Sequence, residues 1–333
     1  MKKLFFSLVA LICATMSYAQ STMVATLSHN EKVSMFYGAN ALRDAMNVAV
    51  SGDIINLSGG AFQAADITKA VTLRGTGINN ADPTYIMNSF EIRIPIENNG
   101  KHLSMEGIRC TDVIRMRGYM ENPVFMKCQF VKFEFINTTN TKNALYSNCI
   151  ITDMVYMEGG CNSSIQFINS YLNAFENYSG SIIFCNCIIR PLFNNRADLI
   201  QYSQLNNCVI FSGTNETVNS LPNSTIAKNC VGIGSKVNYL FNNSAVNTGC
   251  KISTFTEMFK TFKGNYSDDQ TFELTEVAKT KFTGTDGTQV GIYGGLVPYN
   301  PSPSYPQITK MNVANKTTAD GKLSVEIEVS ATE

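Results

Sequence analysis

Tryptophan is absent from this 333-residue chain, and histidine occurs only twice, as His29 and His102. A metal centre built on several histidines is therefore excluded, as is histidine-dependent chemistry away from those two positions. Charge is scarce too: 16% of residues are Asp, Glu, Lys or Arg, against about 25% in ordinary domains. Lys+Arg and Asp+Glu are both 26, so the formal net charge is zero. The basic excess of a dedicated nucleic-acid binder is missing. Beyond the N-terminal segment, no apolar run approaches the ~20 residues that a transmembrane helix needs.

Asparagine takes the place of charge, with 35 residues. It is a poor residue for helix interiors and a good one for turns and left-handed backbone positions. The composition therefore points to a turn-rich chain. At the N-terminus, Lys2 and Lys3 precede the apolar stretch "LFFSLVALICA", and "SYA" places small residues before a cleavage after Ala19. That is the layout of a signal peptide over 1–19. It predicts an exported protein, periplasmic, outer-surface or extracellular.

A repeat organises the middle of the chain. The segments "SMEGIRC", "VFMKCQF", "LYSNCII", "QFINSYL", "IFCNCII", "QLNNCVI" and "IAKNCVG" align on Ile108, Cys128, Cys149, Ser170, Cys187, Cys208 and Cys230, with steps of 20, 21, 21, 17, 21 and 22 residues. Three positions before the anchor stand Met105, Phe125, Tyr146, Phe167, Phe184, Leu205 and Ala227. Two positions after it stand Cys110, Phe130, Ile151, Leu172, Ile189, Ile210 and Gly232. Both columns are mostly apolar, yet their offsets differ in parity, whereas one strand keeps one parity on each face. A bend must lie between them. The residue before the anchor is Asn148, Asn169, Asn186, Asn207 and Asn229 in five consecutive repeats, and Asn is the non-glycine residue most tolerant of left-handed backbone.

A strand, an Asn bend and a second strand, repeated about every 21 residues, describe an all-β fold: a right-handed parallel β-helix. Apolar columns fill its interior, and Asn side chains stack in a ladder. At this point the chain resembles the pectate-lyase-like β-helix superfamily. The stretch "ALRDAMNVAVSGDIINLSGGAFQAADITKAVTLRGTG" (41–77) looks like that superfamily's entry segment, and the resemblance spans roughly 39 to 295. Ala41, Leu42, Ala45, Met46 and Ala49 lie at helical spacing, which predicts a helix capping the open solenoid end. "TFTEMFKTF" (254–262) reads as a short helix and "TDGTQVGIYGG" (285–295) as a last coil. The domain reading is a β-helix with its cap over 20–297, a Pro-rich linker over 298–307, and a C-terminal β-hairpin over 308–333 around "ADG". The "GIYGG" region and the "DGKLSVEIEV" tail resemble exported β-helix proteins of Bacteroidota.

The cysteines invite a metal or redox reading, above all "FCNC" (184–187). The repeat favours a blander one. Cys128, Cys149, Cys187, Cys208 and Cys230 share one column with Ser170, as small buried residues in a structural ladder do. A linear column lacks the convergent geometry of a metal site, and no resident cofactor is expected.

For catalysis, the resemblance implies lyases that take the proton α to a uronate carboxylate, with an Arg or Lys base and Ca²⁺ held by acidic residues. On that reading Arg190, Arg196 and Asp198 are the candidate catalytic residues, in a coil where the repeat steps irregularly. Asp112, Arg115 and Arg117 form a candidate binding group. Arginines on a solenoid are equally read as a solvated face. No clustered acidic run for Ca²⁺ is present, nor the paired-carboxylate motifs "NTD", "DD" and "GHG" of hydrolases on this fold within the central coils. The leading expectation is a non-catalytic surface for polysaccharide or protein partners, with Tyr156, Tyr171 and Tyr178 as candidate aromatics. A uronate lyase and an assembly subunit using the hairpin are the alternatives. Oligomeric state is left open.

Overall fold

A computed structural model describes residues 23–95, 100–136, 140–177, 180–191, 202–211, 221–234, 240–242, 246–264, 266–313, 316–318 and 320–330. The expected signal peptide over 1–19, Arg196, Asp198 and Tyr178 lie outside them.

The repeat builds a parallel β-solenoid of about eight turns with coils of about 21 residues. Each coil gives one strand to each of two sheets. The first, twelve-stranded sheet runs from Lys32–Tyr37 and Val24–His29 through Ile54–Leu57 and on to Val246–Thr248. The second, eleven-stranded sheet runs from Gly60–Gln63 to Lys251–Ser253. Both apolar columns point inward: Phe125, Tyr146, Phe167 and Phe184 on one side, and Phe130, Ile151, Leu172 and Ile189 on the other, are fully buried. The aromatic members stack from coil to coil, Phe125 on Tyr146 at 4.6 Å, Tyr146 on Phe167 at 4.8 Å and Phe167 on Phe184 at 5.3 Å. Each such pair adds about 0.5–1.5 kcal/mol beyond its area burial.

The bend between the columns is left-handed in eight successive coils, from Gly107 to Gly249. Asn148, Asn169, Asn186, Asn207 and Asn229 have φ between 46° and 56°, and Gly107, Lys127 and Gly249 extend the same row. Each bend keeps its backbone paired to the next coil, as Asn169 N–H does to Cys185 O at 3.0 Å and Asn207 N–H to Lys228 O at 3.0 Å. Parity changes without a lost hydrogen bond.

The anchor column explains its own composition. Each thiol donates to the carbonyl two residues earlier: Cys128 to Met126 O at 3.2 Å, Cys187 to Cys185 O at 3.3 Å, Cys208 to Asn206 O at 3.2 Å. Ser170 makes the equivalent bond to Ile168 O at 2.8 Å. The position takes a small side chain with a donor, which Cys and Ser supply. All nine described cysteines are free. Burial pushes the Cys149 thiol up to about 12, and holds those of Cys128, Cys208 and Cys230 well above the usual thiol range. The thiolate is the reactive form, and the Cys185 and Cys250 thiols are also held above the usual range. These two alone are half-buried rather than buried, so an alkylating reagent at mildly alkaline pH is expected to label them slowly and before any other cysteine of the native protein. Intact mass should show nine additions on these cysteines after denaturation without reductant. Fast native labelling of the ladder, or fewer than nine after denaturation, would contradict this arrangement.

At the N-terminal end the helix Ala41–Val48 buries Ala41, Leu42, Ala45 and Met46, as their spacing predicts. It is joined there by an antiparallel hairpin, Val24–His29 with Lys32–Tyr37. The hairpin's Asn30–Glu31 turn has both φ values positive, 44° and 64°. Glu is an unusual residue for the second position of such a turn, which hides this hairpin in the sequence.

The chain departs most from its expected course after Ser253. The short helix Phe255–Met258 forms, with Thr254 accepting from Glu257 N–H. A further helix, Glu276–Lys281, follows. Residues 283–305 then add no strand to either solenoid sheet. "TDGTQVGIYGG" is therefore not a last coil. The segment turns back and runs along the outside of the bends, from the last coils to the first. Beyond it, Gln307–Val313 and Val325–Ser330 pair as an antiparallel ribbon, in agreement with the expected C-terminal hairpin. No described helix is long and apolar enough to cross a membrane.

Candidate functional site

Three flanks of the solenoid present side chains outward, and they differ in chemistry. The first flank is covered. The outward residues following the anchors, Ile150, Tyr171, Ile188, Val209 and Val231, are buried against Met258, Phe259, Phe262, Phe272, Leu274 and Phe282 of the C-terminal segment. Tyr171, a candidate contact residue by sequence, stacks on Phe272 at 4.9 Å beneath this cover.

The strap over residues 283–305 is held by side-chain to backbone bonds at successive coils. Asn229 Nδ2 donates to Thr283 O at 3.2 Å, and Thr285 N–H donates to Asn207 Oδ1 at 2.9 Å. Asn169 Nδ2 donates to Ile292 O and Gly294 O at 2.8 and 2.7 Å. Asn300 N–H donates to Asn148 Oδ1, and Ser304 N–H to Glu106 Oε1, both at 2.6 Å. The Asn ladder thus has a second use besides making bends: its amides bind the strap. The Pro-rich stretch takes part, since Lys127 Nζ donates to Ser302 O at 2.6 Å and Tyr305 OH to Gly75 O.

Arg190 belongs to this covered flank. Its guanidinium donates to Gly264 O and lies over the Phe211 ring, 5.8 Å from the centroid. The arrangement fastens the C-terminal segment to the solenoid. A second fastening was not legible in the sequence. Arg109 Nη1 pairs with Asp268 Oδ2 at 2.8 Å while Arg109 Nε donates to Ile78 O, and Tyr266 OH donates to Asp268 Oδ1 at 2.8 Å. Partial burial disfavours ionisation of Asp268, but the bonds from Arg109 and Tyr266 outweigh it and hold the carboxyl below its usual range. Its stabilising contribution is therefore present above the ordinary carboxylate pKa and fades as pH falls through the lowered one.

The second flank is the outer part of the second sheet, where charges are paired. Glu91, Arg115, Glu134, Tyr156 and Glu176 stand in one register across five coils. Arg115 Nε pairs with Glu134 Oε2 at 3.1 Å and Lys132 Nζ with Glu134 Oε1 at 2.7 Å. Arg117 Nε pairs with Glu91 Oε1 at 2.7 Å and Arg93 with Glu91 Oε2 at 2.9 Å. The structure thus brings Arg115 and Arg117 onto one flank, each already facing a carboxylate. Asp112 is exposed and accepts from Val113 N–H. It lies in a bulge in which Thr111 and Asp112 oppose the single residue Val131, and Asp153 occupies the matching bulge on the far side of Val131, two coils from Asp112. One coil therefore lies between the two carboxylates. Among the described residues no three His, Cys, Asp or Glu side chains converge to hold a metal ion.

The third flank, the outer face of the first sheet, carries a column with no charge. In register stand Ile54, Thr72, Ser104, Val124, Leu145, Gln166, Ile183, Gln204, Ile226 and Val246. All are exposed or half-buried. At about 4.8 Å per coil the column is roughly 43 Å long. Its neighbouring column runs uncharged from Met126 through Ser147, Ile168 and Cys185 to Asn206. Apolar and amide or hydroxyl groups alternate irregularly along both. The signal in the sequence was the position three residues before each bend, which is uncharged from Ser104 to Ile226.

No family model matches this chain, and neither a curated protein nor a solved structure is significantly similar to it.

Proposed function

We propose that this protein is an exported, non-catalytic β-helix that binds uncharged polysaccharide along the outer face of its first sheet, and that it is distant kin of the pectate-lyase-like β-helices. The uncharged column from Ile54 to Val246 carries this reading. A neutral glycan offers hydroxyls and apolar ring faces in a linear repeat. Gln166 and Gln204 supply hydrogen bonds to the hydroxyls, and Val124, Leu145 and Ile183 supply apolar contact. Burial of any ionised group without a partner is strongly unfavourable, so a column without charges accepts a neutral chain with no charge to be desolvated. A uronate polymer meets no cation in this column. The lyase alternative also loses support from Arg190, whose guanidinium fastens the C-terminal segment.

Affinity electrophoresis and calorimetry on a panel of neutral and uronate polysaccharides test the reading. Retardation by a neutral polymer is expected, with at least tenfold weaker binding for Ile183→Asp, which places a charge mid-column. Unchanged thermal unfolding of the variant would show that the fold is intact. Absence of binding across the neutral polymers, equal binding by Ile183→Asp, or release of unsaturated uronates would refute it.

A further inference from the structure

Among the described residues, two of the open sheet edges expose apolar rows of three residues. The strand Lys32–Tyr37 ends the first sheet and pairs on one side only, with Val24–His29. The strand Val325–Ser330 ends the C-terminal ribbon and pairs on one side only, with Gln307–Val313. Val33, Met35 and Tyr37 on the first, and Leu323, Val325 and Ile327 at the second, are each between 48% and 64% exposed. Unprotected apolar edges of this kind are templates for strand addition. A two-stranded ribbon is itself marginal without a third strand or a surface to pack on.

The two edges match. Set antiparallel, Val33 faces Ile327, Met35 faces Val325 and Tyr37 faces Leu323, all on one side of the sheet. On the other side Lys32 faces Glu328 and Ser34 faces Glu326. Three apolar pairs and one pair of opposite charge meet, and no like charges are opposed. Self-pairing of the ribbon strand about Ile327 is worse, because it sets Glu326 against Glu328.

The edges also lie at the same end of the molecule. The strap carries the chain back to the first coils, so that Gln307 and Ser330 line a cavity of about 220 Å³ with Thr76, Asn80 and Pro303. The coil strand Thr72–Arg74 is three places from Lys32–Tyr37 in the first sheet, roughly 14 Å. Within one chain the two edges do not pair. A two-fold axis at this end lets each copy give its ribbon to the other and receive one in return, which closes the assembly.

We propose that two copies of this chain form a reciprocal dimer in which Val325–Ser330 of each extends the first sheet of the other at Lys32–Tyr37. Sedimentation velocity of the purified protein at micromolar concentration tests this. A dimer is expected. Met35→Lys and Ile327→Lys should each give a monomer with an unchanged circular-dichroism spectrum. Lys32→Glu and Glu328→Lys should each weaken the dimer by about tenfold, since each contact occurs twice, and their combination should restore it. A wild-type monomer overturns the proposal. So does a dimer that survives both Met35→Lys and Ile327→Lys, or a charge-swap double variant no tighter than the singles. Co-sedimentation of a wild-type monomer with lipid vesicles, lost in Ile327→Lys, would replace the second copy by a membrane and equally overturn it.

Discussion

Phe262→Ala is expected to destabilise the protein by about 3–5 kcal/mol, the range for removing a large aromatic from a packed core. Phe262 is almost fully buried and is the hub of the cover over the second sheet. Its ring meets Tyr171 at 5.9 Å, Phe211 at 5.8 Å, Phe259 at 5.2 Å and Phe272 at 4.9 Å. Truncation removes all four ring contacts and leaves a cavity between two layers joined chiefly by this cluster and the strap. Phe262→Leu keeps most of the volume and should lose much less, about 1 kcal/mol. Urea unfolding monitored by circular dichroism measures both. Near-equal midpoints for Phe262→Ala and the wild type would show that the cover contributes nothing to the stability of the solenoid.

Substitution at Asn207 is expected to separate the two uses of the Asn ladder. Asn207 has φ of 56° and accepts from Thr285 N–H through its side chain. Asn207→Gly keeps the left-handed bend and removes the strap bond, with a loss of about 1 kcal/mol. Asn207→Val removes the bond and also forces a β-branched residue into left-handed backbone, with a loss of about 3 kcal/mol or more. The difference between the variants isolates the bend. Equal losses would mean that the bend conformation carries no strain for ordinary residues. The same pair at Asn186 provides an internal comparison. There Gly294 and Gly295 pack against the amide, and a methyl group on Gly294 would lie 1.7 Å from Gln289 O.

The solenoid was legible because its information is local and repeated. Phe125, Tyr146, Phe167 and Phe184 recur at the repeat spacing, and the Asn before each anchor marks the change of parity. The helix at Ala41–Val48 and the ribbon around Gly321 were legible for the same reason, through spacing and turn chemistry. The strap was not. Its anchors join residues far apart in sequence, such as Thr283 to Asn229, Asn300 to Asn148 and Tyr305 to Gly75. On the strap side they are mostly backbone groups, which every residue carries, so no residue type announces them. Arg190 illustrates the consequence. It was singled out as a candidate base from its position in an irregular coil, while the carbonyl of Gly264 that receives its guanidinium is 74 residues away. Arg109 passed unnoticed because Asp268 and Tyr266, which give it meaning, lie far along the chain.

By itself the sequence determined the coil, its two inward columns, its left-handed bends and the small hydrogen-bonding residue at each anchor. These follow from steric limits on φ and from the burial of apolar side chains at a fixed period, and both act within one repeat. Tertiary structure alone decided which flank is covered, which arginines are engaged and which sheet edges stay open. Those outcomes depend on where a later segment, folding back over finished coils, finds unpaired hydrogen-bonding groups and apolar surface to cover. The uncharged column stood in the sequence throughout, but only the course of the strap along the bends shows that no described segment covers it.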